Sequence, residues 1–129
     1  MLVEGIVNPH VLSLLSRIRH TNSLVIADVA FPFWPMIEIV DLSLVRGVPT
    51  VLQVLDALLP CWKCGAVFMA EEFRAHNDRP TRAAFARACR GVPITFEPHV
   101  EFKKRVPAAI GLIRTGDATM YANLILVSA

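Results

Sequence analysis

The chain has 129 residues, a net charge of +2, 54% hydrophobic residues and 19% charged ones. That length holds one domain with a real core, and the apolar composition excludes a disordered chain. The near-balanced charge offers no basic stripe for nucleic acid, and no apolar run reaches the ~18 residues of a membrane-spanning helix, because Asp28 and Glu38 interrupt the greasiest stretch. In chain order, Asn8-Pro9 starts a helix, with Asn8 as N-cap and Val11, Leu14, Leu15 and Ile18 on one face, ending near His20. The turn Thr21-Asn22-Ser23 leads into a strand, Leu24 to Ala27, apolar on both faces and stopped by Asp28. Val29 to Pro35, with two prolines and three aromatics, reads as an ordered, greasy loop. Ile37 to Val40 is a second strand, ended by Asp41. Gly47-Val48-Pro49 introduces a helix with Val51, Leu52, Leu55, Leu58 and Leu59 as its buried stripe, closed by Pro60. Gly65 to Ala70 is a strand that finishes in Glu71 and Glu72, and Asn77-Asp78 with Pro80 starts a helix from Thr81 to Arg90, ended by Gly91. Pro93 to Phe96, Ala108 to Ile113 and Asn123 to Val127 are further strands, and Pro98 to Arg105 is a short helix. Alternating strands and helices predict an α/β layered domain over residues 1–129.

Several side chains invite a chemical reading. A carboxylate at the carboxyl end of a buried strand, as at Asp28, stands where open α/β sheets bind ligands. A histidine ending a helix, as expected of His20, has its protonated form favoured by the macrodipole. Such a donor and acceptor suit a polyol such as a sugar. His99 opens the short helix, with Phe102 and Lys103 on the same face, an arrangement equally expected of an exposed amphipathic helix. Tyr121, the only tyrosine, and Asn123 fall on one face if the segment is extended, a phenol and an amide making a hydrogen-bonding edge; a turn anchor and a strand start account for the pair as well. His10 and His76 read as solvated surface. Cys61-Trp62-Lys63-Cys64 supplies two thiols, but Cys89 and His76 complete no metal-ligand spacing, and the pair follows a helix where a redox site would open one. An odd cysteine count and an N-terminus without a signal-peptide layout lead to the expectation of a cytoplasmic protein, and the excess of apolar residues to the expectation of subunit contacts.

The ordered set Arg19-His20-Thr21, Ala27-Asp28, Pro32, Asp41-Leu42-Ser43-Leu44, Gly47-Val48-Pro49, His99 with Phe102-Lys103, Ile113-Arg114-Thr115-Gly116 and Tyr121-Ala122-Asn123 resembles the D-ribose pyranase and L-fucose mutarotase family over nearly the whole chain. No single fragment is specific; their order and spacing are. The resemblance implies a three-layer α/β/α fold with a mixed β-sheet, and stacked pentamers forming a homodecamer with sites between subunits. It also implies an isomerase acting on cyclic forms of a free monosaccharide without metal or organic cofactor. His20 matches the family's proton donor; Asp28, His99, Tyr121, Ala122 and Asn123 match its substrate-binding positions, and Lys103 and Arg114 also match. Ala30-Phe31-Pro32 is closer to the fucose branch, whereas Asp41 to Leu44, His99 and Tyr121-Ala122-Asn123 lean toward ribose. The chain stops at Ala129, short of the apolar tail usual in the family. The alternative function is a non-catalytic sugar-binding accessory protein of an uptake system.

Overall fold

The computed structural model describes residues 1–129 and contains α1 (Pro9–Arg17), β1 (Ser23–Ala27), β2 (Glu38–Asp41), α2 (Val51–Leu58), β3 (Cys64–Ala70), α3 (Glu71–His76), α4 (Arg79–Ala88), β4 (Ile94–Glu97), α5 (His99–Arg105), β5 (Gly111–Arg114) and β6 (Leu124–Ser128). All six strands expected from hydrophobic patterning form, and they join one sheet in the order β2-β5-β1-β6-β3-β4. β1 runs parallel to β5, β5 to β2 and β3 to β4, while β6 is antiparallel to both β1 and β3. Five strands therefore point the same way and one returns between them. This is the mixed sheet of a three-layer α/β/α fold.

Alternation along the strands divides the core. Leu24, Ile26, Ile113, Leu124 and Leu126 face a layer containing Val11 and Leu14 of α1, Val51, Leu55 and Leu58 of α2, Phe73 of α3 and Phe85 of α4. Val25, Ala27, Leu112 and Ile125 face the other way, onto Phe31, Phe102, Val106 and Ala109. With both faces covered, β1 is fully buried from Leu24 to Ala27, which is why its sequence is continuously apolar rather than alternating. No helix is long and apolar enough to cross a membrane.

Capping fixes where the helices begin. The Asn8 side chain accepts from the amides of His10 and Val11, and Thr50 with Gln53 forms a reciprocal capping box on α2. Two local expectations fail, and one helix forms that the sequence pattern does not announce. α1 stops at Arg17, so His20 lies in the following turn and outside the helix. Glu71 and Glu72 open α3, whose one buried residue, Phe73, leaves no periodic stripe for pattern reading to detect. Tyr121 is not extended: its φ of +54° is left-handed, so strand alternation is not what brings it near Asn123.

Candidate functional site

Because β1 to β5 point the same way, their carboxyl ends share one edge of the sheet with the start of the reversed β6. Asp28, Arg114 and Thr115, Pro98 and His99, and Asn123 collect there, at the edge where doubly wound sheets hold ligands. A pocket of about 350 Å³ opens at this edge, lined by Asp28, Phe31, Arg46, His99, Asp117, Tyr121 and Asn123 among others. That volume is at the small end of ligand pockets and suits one small polar molecule.

Asp28 is 6% exposed and is built into a clasp. Its amide donates to Asn123 Oδ1 at 2.7 Å, Asn123 Nδ2 donates to its Oδ2 at 3.0 Å, and its Oδ1 accepts from the Ala30 amide at 3.0 Å. Desolvation pushes the Asp28 carboxyl above its ordinary value; hydrogen bonds from Ala30, Asn123 and Phe31, then the Arg114 charge, oppose it. Arg114 is spent on the backbone, donating to the carbonyls of Asp28, Val29 and Pro32, so it fastens the loop after β1. Thr115 Oγ1 donates to Ala27 O, and the Val29 amide donates to Asp117 O at 2.8 Å. Asp117 in turn accepts from the Val51 amide at the start of α2 and from the Thr119 amide, both at 2.8 Å. The greasy loop thus has a definite role: Phe31 is buried and puts its ring against His99 and Phe102.

His99 opens α5 with its amide donating to both oxygens of Glu72, at 3.0 and 3.1 Å. Its ring meets Tyr121 edge-on, with centroids 5.1 Å apart, and its Nδ1 is buried without a hydrogen-bond partner. Burial, and then the Lys103 charge, push its pKa below 6.5, against smaller opposing effects of Glu72 and Asp28. The ring is therefore neutral at pH 7. In a histidine NMR titration its midpoint is expected below the ordinary 6.5. The folded state therefore binds the proton less readily than the unfolded one. Stability is thus lost as pH falls below about 6.5 and the loss is complete below the folded-state pKa, a trend that unfolding in urea across pH 5–7 measures.

The pocket rim contains a residue that sequence reading passed over. Arg46 tips the turn Val45 to Val48, closed by Val48 N donating to Val45 O at 3.0 Å. That turn is pinned to the β5–β6 connection, since Gly47 N donates to Gly116 O and Gly116 N donates to Pro49 O. A Cβ on Gly116 would run into the carbonyls of Val45 and Val48, so glycine is needed for close approach. Gly116→Ala is expected to cost about 1–3 kcal/mol in unfolding free energy, as overpacking against fixed backbone does. No local signal marks Arg46, Asp117 or Thr119; only the meeting of two loops distant in sequence places them.

Of the sequence-derived site residues, Asp28, His99, Tyr121 and Asn123 line the pocket together. Ala122 is fully buried in the core beside them and contributes no side chain to the pocket. His20 is elsewhere. It is exposed at the opposite end of β1, where the Thr21 amide donates to Ser128 O, and the strand separates it from Asp28 by about 17 Å at ~3.3 Å per residue. Within one subunit the imidazole cannot reach the pocket. The Cys61 and Cys64 thiols point to the carbonyls of Leu58 and Ala66 rather than to each other's ligand field.

Residues 1–129 match, from end to end, the model of a family described as the RbsD / FucU transport protein family. The chain belongs to this family. Curated RbsD/FucU relatives include the D-ribose pyranase of Chromobacterium violaceum, 41% identical over 99% of this chain and 97% of that protein. Another is the D-ribose pyranase of Geobacillus kaustophilus, also 41% identical, over 99% and 93%. Among solved structures, Bacillus subtilis RbsD complexed with D-ribose superposes with a TM-score of 0.92 at 32% identity, covering 100% of this chain and 98% of that one. The fucose mutarotase of Streptococcus pneumoniae, solved with L-fucose, shares the fold at a TM-score of 0.79 and 19% identity, over 95% and 93%. This RbsD/FucU chain is an isomerase of the pyranase or mutarotase type.

Proposed function

We propose that the chain interconverts the ring forms of a free monosaccharide such as D-ribose or L-fucose in the cytoplasm. In this reading the sugar is bound by Asp28, His99, Tyr121, the Ala122 segment and Asn123, with His20 as proton donor. The observation that carries it is the pocket itself: a buried carboxylate, a phenol, an amide and a neutral imidazole converge beside the Phe31 ring in a space for one small polyol. Carboxylate and imidazole nitrogen accept from sugar hydroxyls, the phenol and Arg46 donate to them, and the aromatic ring takes the C–H face.

Ring opening of a hemiacetal takes one proton from the anomeric hydroxyl and delivers one to the ring oxygen as the C1–O bond breaks. Reclosure on the other carbonyl face gives the other anomer; attack by a different hydroxyl gives the furanose. One C–O bond breaks and one re-forms with no change of oxidation state, so acid/base groups suffice and no metal or organic cofactor is needed. A histidine, with an ordinary pKa near 6.5, is suited to donate to the ring oxygen and be reprotonated at neutral pH.

His20 can serve only from a neighbouring copy, because its own strand holds it away from its own pocket. Such a contact joins two different surfaces, the His20 end of one subunit and the pocket end of the next, and a heterologous contact of this kind builds a ring when the rotation between copies closes. Pentameric rings stacked as decamers fit this geometry, and exposed apolar side chains such as Leu2, Val7, Leu44 and Val45 give the subunits surface to bury. Three free cysteines suit a reducing compartment.

Saturation-transfer NMR on ribose and fucose tests the reading: exchange between pyranose, furanose and anomer signals is expected to accelerate with added protein. Unchanged exchange overturns it. Calorimetric sugar binding without acceleration would instead support an accessory protein of sugar uptake, the reading that the family's description as transport proteins favours.

A further inference from the structure

His76 is the last residue of α3 and is exposed, yet its ring is not idle. It stacks on the ring of Tyr121, with centroids 5.3 Å apart and planes 30° from parallel. His99 meets the same tyrosine edge-on at 5.1 Å. Tyr121 is thus held between two imidazoles, of which only His99 lines the pocket. The tyrosine needs holding. Its φ of +54° is a left-handed conformation that a bulky non-glycine residue keeps only when its surroundings impose it. The neighbour of His76 supplies a second grip on the same segment: Asn77 Nδ2 donates to Met120 O and to Phe73 O, both at 2.8 Å. The end of α3 therefore grips the approach to Tyr121 twice, through the backbone by Asn77 and through the ring by His76.

We infer that His76 is a positioning residue of the sugar site. It touches no substrate and holds the Tyr121 phenol in the orientation that meets the sugar. The inference rests on the proposed sugar-binding role of Tyr121. It assigns His76 a part in substrate affinity, separate from proton transfer. Loss of the stack leaves the tyrosine several orientations, of which one binds, and the apparent affinity drops by the fraction lost.

Tyr121 is the only tyrosine in the chain, so protein labelled with ring-¹³C tyrosine reports that ring alone. In full-length protein, His76→Ala is expected to shift the tyrosine ring signals before any sugar is added. It should also raise KM for ribose about threefold to tenfold, the size of a lost aromatic pair, with kcat within about twofold. His76→Phe keeps the stack and is expected to restore the wild-type KM. An unchanged KM in His76→Ala, a fall in kcat at constant KM, or a phenylalanine variant no better than alanine overturns the inference. Wild-type tyrosine signals that ignore every sugar would overturn the sugar-site reading and this inference together. Signals that respond to sugar identically in wild type and His76→Ala would overturn this inference alone.

Discussion

Replacing His20 with alanine is expected to slow sugar-ring interconversion by about 10²–10⁴-fold, the range of a lost general acid, with little change in folding stability. The side chain is exposed beyond the end of α1 and fills no part of either core layer, so the fold does not depend on it. Sugar affinity is expected to fall far less than rate, because the groups that line the pocket belong to other elements. Asp28→Asn is expected to be inactive for the opposite reason: His20 remains, but the pocket loses its anionic acceptor. Co-expression of the two variants gives the decisive measurement. If His20 acts across a subunit boundary, mixed oligomers regain activity in about a quarter of their sites, those pairing an intact His20 with an intact Asp28 in a heterologous contact. No recovery in mixed oligomers would overturn the sharing of the site across a subunit boundary.

Asn123→Ala is expected to destabilise the protein by about 2–5 kcal/mol and to abolish sugar binding. The asparagine amide is 2% exposed and touches Asp28 twice, as acceptor for its backbone N–H and as donor to its carboxylate. Truncation leaves a buried donor and a buried charged acceptor unsatisfied, each costing about 1–3 kcal/mol or more. Asn123→Asp keeps the shape and gives a different signature. A second carboxylate beside Asp28 raises the pKa of the pair, because the two cannot both ionise at hydrogen-bond distance. The folded state then holds a proton the unfolded state has released, so this variant is expected to be more stable relative to wild type at pH 5 than at pH 7. Urea unfolding at both pH values reads the difference, and equal destabilisation at the two would show that Asp28 is not charged at neutral pH.

Much of the architecture was legible in the sequence by itself. Short runs rich in apolar residues and bounded by turn residues marked the six strands, from Leu24 to Val127, and caps at Asn8 and Asp78 marked helix starts, because these signals act between near neighbours in the chain. The ordered motifs also carried the family, and they singled out Asp28, His99, Tyr121 and Asn123, which the fold brings to one pocket. What escaped sequence reading was set by contacts between distant segments. α3 is too short and too lightly buried to show a period, and the left-handed Tyr121 is held by residues of another helix. Arg46 reaches the pocket only because its turn is pinned against Gly116. His20 and Asp28, close in sequence, are driven to opposite ends of the sheet by the extended strand between them, whereas Asp28 and Asn123, 95 residues apart, are clasped together by the reversal of β6. Local patterns fix which segments become strands and helices; the direction in which each strand enters the sheet decides which side chains meet, and that information is spread over the whole chain.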